Sequence, residues 1–533
     1  MDEDRPQLDA LIIGAGFAGM YMLKTLRDRG FRVHVYERGG DVGGTWYWNR
    51  YPGARCDVES LFYCYSFSEE LQQEWQWTER YPAQPEILRY ARHVADRFDL
   101  RRDITFRTEV RSAAYDEARD QWVVRTDDEE LTTRFLITAV GCLSAAQTPD
   151  FPGIDDFRGE AYHTADWPHE GVDLTGKRVG VIGTGSSGIQ AIPVIAEQAA
   201  HLTVFQRTAQ YSVPAHNRPL TDEEQRQVKA RYAQLRAEAL RTQAGILCER
   251  HEVNAVDVPR EELQAELERR WRLGGLTFCA AYQDTLVDPA ANELFAEFVR
   301  DKIRSIVHDP DTAELLCPRD FPIGTKRICV DTGYFATYNR PNVSLVDVRR
   351  NPISAITPTG LRAGDREHEL DVIVFATGFD AMTGPLTRID IRGSGGRRLA
   401  DEWDAGPRTY LGLACAGFPN MFTITGPGSP SVLSNMIVSI EQHVEWIAEH
   451  LEHLRDNGVR RSEADPEAQR QWSAHVDEVA AETLYPRAAS WYMGANVPGK
   501  PRVFMPYVGG VDVYRDICDD VAANGYRGFR LAG

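Results

Sequence analysis

Two copies of one glycine pattern constrain this chain more than any other feature. Gly14-x-Gly16-x-x-Gly19 follows the apolar run "LDALII", and Gly183-x-Gly185-x-x-Gly188 follows "KRVGVI". Each pattern opens a stretch with helical apolar periodicity, and each helix is followed by a further strand, "FRVHVYER" or "HLTVFQR". A strand that turns through glycines into a helix gathers bare backbone N–H groups and the positive helix end at one point, which suits a pyrophosphate. One such motif carries little weight. Two, each in a strand–turn–helix context, predict an α/β fold with two dinucleotide-binding, Rossmann-like domains.

The two units differ where ribose recognition is decided. Glu37 ends the second strand of the first unit, about 20 residues past the glycines, where a carboxylate accepts hydrogen bonds from an adenosine ribose. At the same offset the second unit carries Gln206, followed by Arg207 and Thr208. Without a carboxylate nothing repels a 2′-phosphate, and Arg207 can pair with one through charge-assisted hydrogen bonds. The first site therefore predicts FAD on Gly14, Gly16, Gly19 and Glu37. The second predicts NADPH (NADP+) on Gly183, Gly185, Ser186, Gly188, Arg207 and Thr208. In "GGDVGGTWYWNRYPGARCDVES" Gly44 allows a second close backbone approach, and Trp46 offers flat surface to a ring system. Thr45, Asp57 and Tyr63 are assigned to the same cofactor surface. One chain with both sites reads as a flavin-dependent oxidoreductase.

Composition narrows the setting. The 533 residues suffice for two or three domains, and a net charge of −19 argues against nucleic acid or an anionic membrane as partner. The N-terminal "MDEDRPQ" lacks the basic-then-apolar pattern of a signal peptide, and the apolar run Leu8 to Leu23 is short and broken by glycines. The nine cysteines form no C-x-x-C pair and no zinc spacing. A cytoplasmic enzyme with no metal site and no cysteine redox chemistry is expected.

Along the chain, residues 1–142 are expected to begin the FAD domain, and 143–217 to hold the linker and the first part of an NADP domain. Charged helical sequence fills 218–310, opening with Thr221 and Glu224 in a capping-box arrangement. Residues 311–375 should complete the NADP domain, with "LDVIVFATGFD" (370–380) marking the return to the FAD domain over 376–533. In that last part Ile440, Val444, Ile447, Leu451 and Leu454 form one helical stripe ending before Gly458. The fold is thus an FAD domain interrupted by an NADP domain, plus a helical insertion.

The connection "FRGEAYHTADWP" has neither strand alternation nor a helical stripe, yet carries His163 and Trp167. Phe157, Gly159, His163 and Trp167 fill the pattern F-x-G-x-x-x-H-x-x-x-W, in which the chain resembles the Baeyer–Villiger monooxygenases. The likeness continues through "GGTWYWNRYPGARCD", "TKRICVDTGYF", "ATGFD", "GPGSPS" and "SWYMGANVPGKPR", and is greatest to phenylacetone and steroid monooxygenases. It implies NADPH- and O2-dependent insertion of oxygen beside the carbonyl of a bulky hydrophobic ketone (cyclic, aryl or steroid-like), giving an ester or lactone through a C4a-peroxyflavin. On the same resemblance Arg327 is the catalytic arginine, Asp57 its carboxylate partner, and Lys326 a contact to the 2′-phosphate. Trp491 belongs to a mobile loop over NADP(H). Ser431 and Val432 line the substrate pocket, with Cys142 where some relatives carry glutamine. The fingerprint should couple nucleotide placement to domain arrangement, and no obligate protein partner is implied. N- or S-oxygenating flavin monooxygenases are the alternative, although they usually carry another aromatic at the position of Trp167.

Overall fold

The computed structural model describes residues 6–533; Met1–Arg5, within the acidic N-terminal stretch, lie outside the described residues. Leu8–Ile13 lies inside an eight-stranded sheet, with Ala10, Leu11 and Ile12 wholly buried, as a strand covered on both faces requires. Val33–Glu37 and Glu130–Thr138 flank it in parallel, setting Ala10 opposite Val33 and Phe135. Ile104–Phe106 extends one edge. On the other side an antiparallel meander, Ser112–Asp116 and Gln121–Arg125, feeds Glu130–Thr138. Two strands from much later in the chain, Asp390–Arg392 and Met421–Thr423, complete this sheet.

A second sheet has five strands, all parallel, in the order Val343–Asp347, His201–Gln206, Arg178–Ile182, Val372–Phe375, Glu160–His163. The chain leaves the first sheet after Thr138, builds the second, and returns after Phe375. One dinucleotide-binding fold is therefore interrupted by another. Helices Phe17–Asp28 and Ser186–Gln198 follow the two glycine turns. The helices of 222–306 form the insertion between strands of the second sheet.

Three local expectations change. "FRGEAYHTADWP" is not a plain connection: Glu160–His163 is the edge strand of the second sheet, paired in parallel with Val372–Phe375. Four residues are too few to display alternation, and the partner strand lies far along the chain. The apolar run "RFLITAVG" (134–141) reads as the strand that closes the first nucleotide unit, but the strand itself spans Glu130–Thr138. The helical run after Thr221 is two short helices, Asp222–Lys229 and Tyr232–Ala239, although the Thr221–Glu224 capping box forms. The late stripe of apolar residues lies on Met436–Asp456, with Ile440, Val444, Ile447, Leu451 and Leu454 buried. Among the described residues no helix is long and apolar enough to cross a membrane, and no cluster of side chains could hold a metal ion.

Candidate functional site

Both glycine turns are built alike. Gly14 and Gly183 have φ of +104° and +108°, which side-chain-bearing residues rarely adopt. The helices they open have no side-chain cap and no acidic residue in the first turn. Thr221, Asp288, Asp309 and Asp465, by contrast, each cap the helix that they precede. Bare helix N-termini leave orphan N–H groups and positive potential for an anion.

Around the first turn, Gly44 faces Gly16 so closely that a Cβ on Gly44 would lie 2.9 Å from the Gly16 Cα. Glu37 is 5% exposed, and its carboxylate accepts the Ala15 N–H at 2.7 Å and the Gly39 N–H at 2.6 Å. Burial pushes its pKa up, against these two amides, which favour the charged form. Thr45 starts the short helical turn Thr45–Trp48. Trp46 donates its indole N–H to the Tyr63 hydroxyl at 3.0 Å, both side chains buried.

Around the second turn, apart from the adjoining backbone, no atom of the described residues lies within 4 Å of the point where a Cβ on Gly185 would stand, which leaves room for a ligand to meet the backbone. Ser186 opens the helix, and its Oγ is 3.4 Å from the Cys329 Sγ. The Thr208 carbonyl accepts from Thr184 Oγ1 at 2.9 Å, and Arg207 stands exposed at the strand end. Gln206 turns inward instead, donating to the Leu315 carbonyl at 2.7 Å. Lys326 lies over the Phe321 ring, 4.3 Å from its centre. Burial, together with the charges of Arg207 and Arg349 and against that of Asp320, pushes its ammonium pKa down to about 8. These bare turns and open backbone surfaces suit the pyrophosphates of FAD and NADP(H), and Arg207 and Lys326 stand together beside the second.

Arg327 and Asp57 meet in a two-pronged ion pair, Nε to Oδ2 and Nη2 to Oδ1, both at 2.8 Å, with side chains 22% and 27% exposed. Arg327 Nη1 also donates to the Val432 carbonyl at 3.0 Å. Burial alone would depress the guanidinium pKa, but Asp57 outweighs it and raises the pKa above its ordinary value. Asp57 comes from the first nucleotide unit, Arg327 precedes the strand Cys329–Asp331, and Val432 belongs to the returning chain. Tyr51 and Arg55, upstream of Asp57, hold Gln190 on the second glycine helix: the Tyr51 hydroxyl donates to its Oε1 at 2.8 Å and its Nε2 to the Arg55 carbonyl at 3.0 Å.

The two passages between sheets run side by side. Gln147 N–H donates to Gly378 O at 2.9 Å, Asp380 N–H to Ala145 O at 2.8 Å, and Met382 N–H to Cys142 O at 2.9 Å. His163 sits at this crossing. Its Nδ1 accepts the Ala165 N–H at 3.0 Å, so its Nε2 bears the proton, within 3.2 Å of the Gln147 carbonyl and 3.1 Å of Thr377 Oγ1. Burial lowers the imidazole pKa and keeps it neutral. Trp167 is buried in the core of the second sheet with Leu174 and Val179. Phe157 packs on the opposite face of that sheet, and Gly159 lies where a Cβ would come 2.4 Å from the Asp371 carbonyl.

Cys142 and Val432 share an apolar cluster with Met382, Tyr492, Phe504 and Met505, against which half-buried Trp491 packs. Ser431 is fully buried with φ +23°, its hydroxyl beside the Cys142 thiol. The sequence reading missed Met382, Tyr492, Phe504 and Met505, because scattered large apolar residues carry no spacing signal. It also missed a cavity of about 370 Å3 that runs from Asp57 past Phe62 and Tyr81 to Ile246, Leu247 and Leu276 of the insertion.

The family model described as pyridine nucleotide-disulphide oxidoreductase matches residues 11–273. All nine cysteines are nonetheless free. The chain is 46% identical to the acetone monooxygenase (methyl acetate-forming) of Gordonia sp. strain TY-5, over 98% of this chain and 99% of that one. It is 44% identical to a Baeyer–Villiger monooxygenase of Pseudooceanicola batsensis (97% and 95%) and to a phenazine N-monooxygenase of Lysobacter antibioticus (100% and 98%). Among solved structures it superposes on an oxidized steroid monooxygenase bound to NADP with a TM-score of 0.95 at 53% identity, covering 98% of this chain and 99% of that one. OTEMO in complex with FAD and NADP gives 0.96 at 43% identity, covering 99% and 100%.

Proposed function

The chain belongs to the Baeyer–Villiger monooxygenase family, and from that premise we propose that it uses NADPH, FAD and O2 to convert a bulky hydrophobic ketone into an ester or lactone. The FAD unit is read as 1–142 with 376–533, the NADP unit as 143–217 with 311–375, and 218–310 as a cover over the cleft. A cytoplasmic setting belongs to the same reading.

When bound, NADPH supplies a hydride and the flavin carries electrons to O2. The residues supply position and charge. Glu37 and the Gly14–Gly19 turn would hold the adenosine ribose and pyrophosphate of FAD, with Gly44, Thr45, Trp46 and Tyr63 along it. Gly183, Gly185, Ser186 and Gly188 would receive the NADPH pyrophosphate, and Arg207, Thr208 and Lys326 its 2′-phosphate. Trp491 would close over the nucleotide.

The observation that carries the proposal is the Arg327–Asp57 pair. A guanidinium has five N–H groups. Two bind Asp57 and one binds the Val432 carbonyl. The N–H groups left over on Nη1 and Nη2, beside the Tyr492 hydroxyl, are the donors offered to an anionic oxygen, or to a carbonyl oxygen gaining charge. Because Asp57 and Val432 fix the group beforehand, stabilising that charge demands little reorganisation. The apolar cluster of Cys142, Met382, Val432, Tyr492 and Phe504 excludes water beside it. Cys142, Ser431 and Val432 would meet the ketone.

The test is turnover of a ketone panel by the FAD-loaded enzyme with NADPH in air, with products identified by mass spectrometry. Ester or lactone carrying one added oxygen is expected. The 44% identity to a phenazine N-monooxygenase favours N-oxygenation as the second reading. Oxidation of amines or sulfides with no ester from any ketone would establish that reading instead.

A further inference from the structure

The far end of the Trp491 loop is tied down by contacts that the chemistry above does not use. Asn496 Nδ2 donates to the Phe379 carbonyl at 2.6 Å. Lys500 Nζ donates to Asp380 Oδ1 at 2.6 Å and to the Ala381 carbonyl at 2.7 Å. The three acceptors are consecutive residues on the returning passage between the sheets. The Lys500 and Asp380 side chains are only 12% and 22% exposed, so salt screens the pair less than it would a surface pair. Removing one partner strands the other charge in a partly desolvated place.

That same short segment is stitched to the outgoing passage. Asp380 N–H bonds Ala145 O, and Met382 N–H bonds Cys142 O. Gly384 makes room for the Asp380 carboxylate, since a Cβ there would lie 2.5 Å from its Cγ. Met382 is buried with φ +66° and shares the apolar cluster with Cys142, Tyr492 and Phe504. Loop, hinge and pocket wall therefore meet in residues 379–382.

We propose that Lys500 and Asp380 are a positioning pair that latches the Trp491–Lys500 loop onto the hinge between the two nucleotide folds, so that loop closure and the seating of Cys142 and Met382 occur as one event. The proposal rests on the reading that this loop covers the nicotinamide nucleotide. A loop between the left-handed glycines Gly494 and Gly499 loses much conformational freedom on closing. A shielded ion pair and an amide bond at its end offset that loss, and they direct it to the one segment that also holds the pocket.

The experiment uses full-length, FAD-loaded enzyme carrying Lys500→Met, Asp380→Asn, both together, or Lys500→Arg, with flavin absorbance checking that each folds. Hydrogen exchange of amides 491–499 is measured with and without NADP+, alongside kcat and KM for NADPH and the ester formed per NADPH consumed. Either single variant should speed exchange in the NADP+ complex and raise the NADPH KM, each by about tenfold, with less ester per NADPH. The double variant should be no worse than the singles, and Lys500→Arg should keep most of the protection. Loop exchange and KM like wild type in either single variant, or single effects that simply add, would overturn the latch. If no ketone is converted by the unmodified enzyme, the functional reading fails, while exchange with NADP+ still decides the latch.

Discussion

Arg327 and Asp57 lie 270 positions apart in the chain and 2.8 Å apart in space. Replacing Arg327 by Ala removes the donors offered to a developing oxyanion and leaves Asp57 half-shielded without its partner. FAD content should persist while ester formation falls by about 10³ or more; wild-type-like turnover by product analysis would refute the role. Arg327→Lys should recover little, because an ammonium cannot hold a two-pronged carboxylate and present two further aligned donors. Lys326 gives a pH signature. Its pKa of about 8 makes it cationic below that value and neutral above it, so kcat/KM for NADPH should fall between pH 7 and pH 9 while that for NADH stays flat. Arg207→Ala should raise KM for NADPH by about tenfold or more, through loss of a charge-assisted bond, with little change for NADH. Steady-state kinetics with the two nucleotides checks both. The role proposed for Arg207 comes from its offset past the second glycine pattern, and that for Lys326 from the resemblance. Tyr492, Phe504 and Met505 could not be read in advance, since an apolar side chain reveals its neighbours only after folding.

The helix Met436–Asp456 carries its apolar stripe openly in the sequence, with one feature that the stripe hides. His443 and His450 lie on the same buried side, wholly shielded, each with one ring nitrogen unpartnered among the described residues. Burial pushes both pKa values down to about 3, well below the unfolded value of about 6.5. Between those limits the unfolded chain binds protons that the folded one refuses. The stability linked to each group is fully present above pH 6.5 and drains away as pH falls towards 3. Each histidine should cost about 1.4 kcal/mol per pH unit inside that window. Urea unfolding of the FAD-loaded protein at pH 7 and pH 5.5 measures the slope, which should flatten in His443→Gln and His450→Gln. Other elements were less legible. Glu160–His163 became a strand because Val372–Phe375 offered it an edge, and the helical run after Thr221 broke where its two halves meet the body separately.

At the scale of the molecule, two folds share one hinge, and His163 stands where the outgoing and returning passages touch. His163→Phe keeps a ring of similar breadth but loses both nitrogens, so the Gln147 carbonyl and the Ala165 N–H each lose a partner. The Ala165 amide loses its acceptor, at roughly 1–3 kcal/mol where it stays shielded from water, whereas the Gln147 carbonyl keeps the Thr377 hydroxyl. FAD content should be unchanged and NADP+ affinity should fall by roughly tenfold, followed through the flavin absorbance during titration. Equal affinity for NADP+ in the variant would reduce His163 to packing. Trp167 is core of the second fold, so its truncation should destabilise that fold by roughly 3–5 kcal/mol.

The sequence by itself determined the two dinucleotide-binding folds and the interruption of one by the other, and it carries the acidic and basic side chains on which the proposed ribose preferences rest. Those properties depend on glycine spacing, strand apolarity and one acidic or basic side chain, all local. Apart from Asp57 with Arg327, which the resemblance implied, only the tertiary structure decided which distant groups become partners: His163 with the paired passages, Lys500 with Asp380. Such pairings depend on how two sheets and a returning chain fill space together, and packing of that kind leaves no periodic trace in the order of residues.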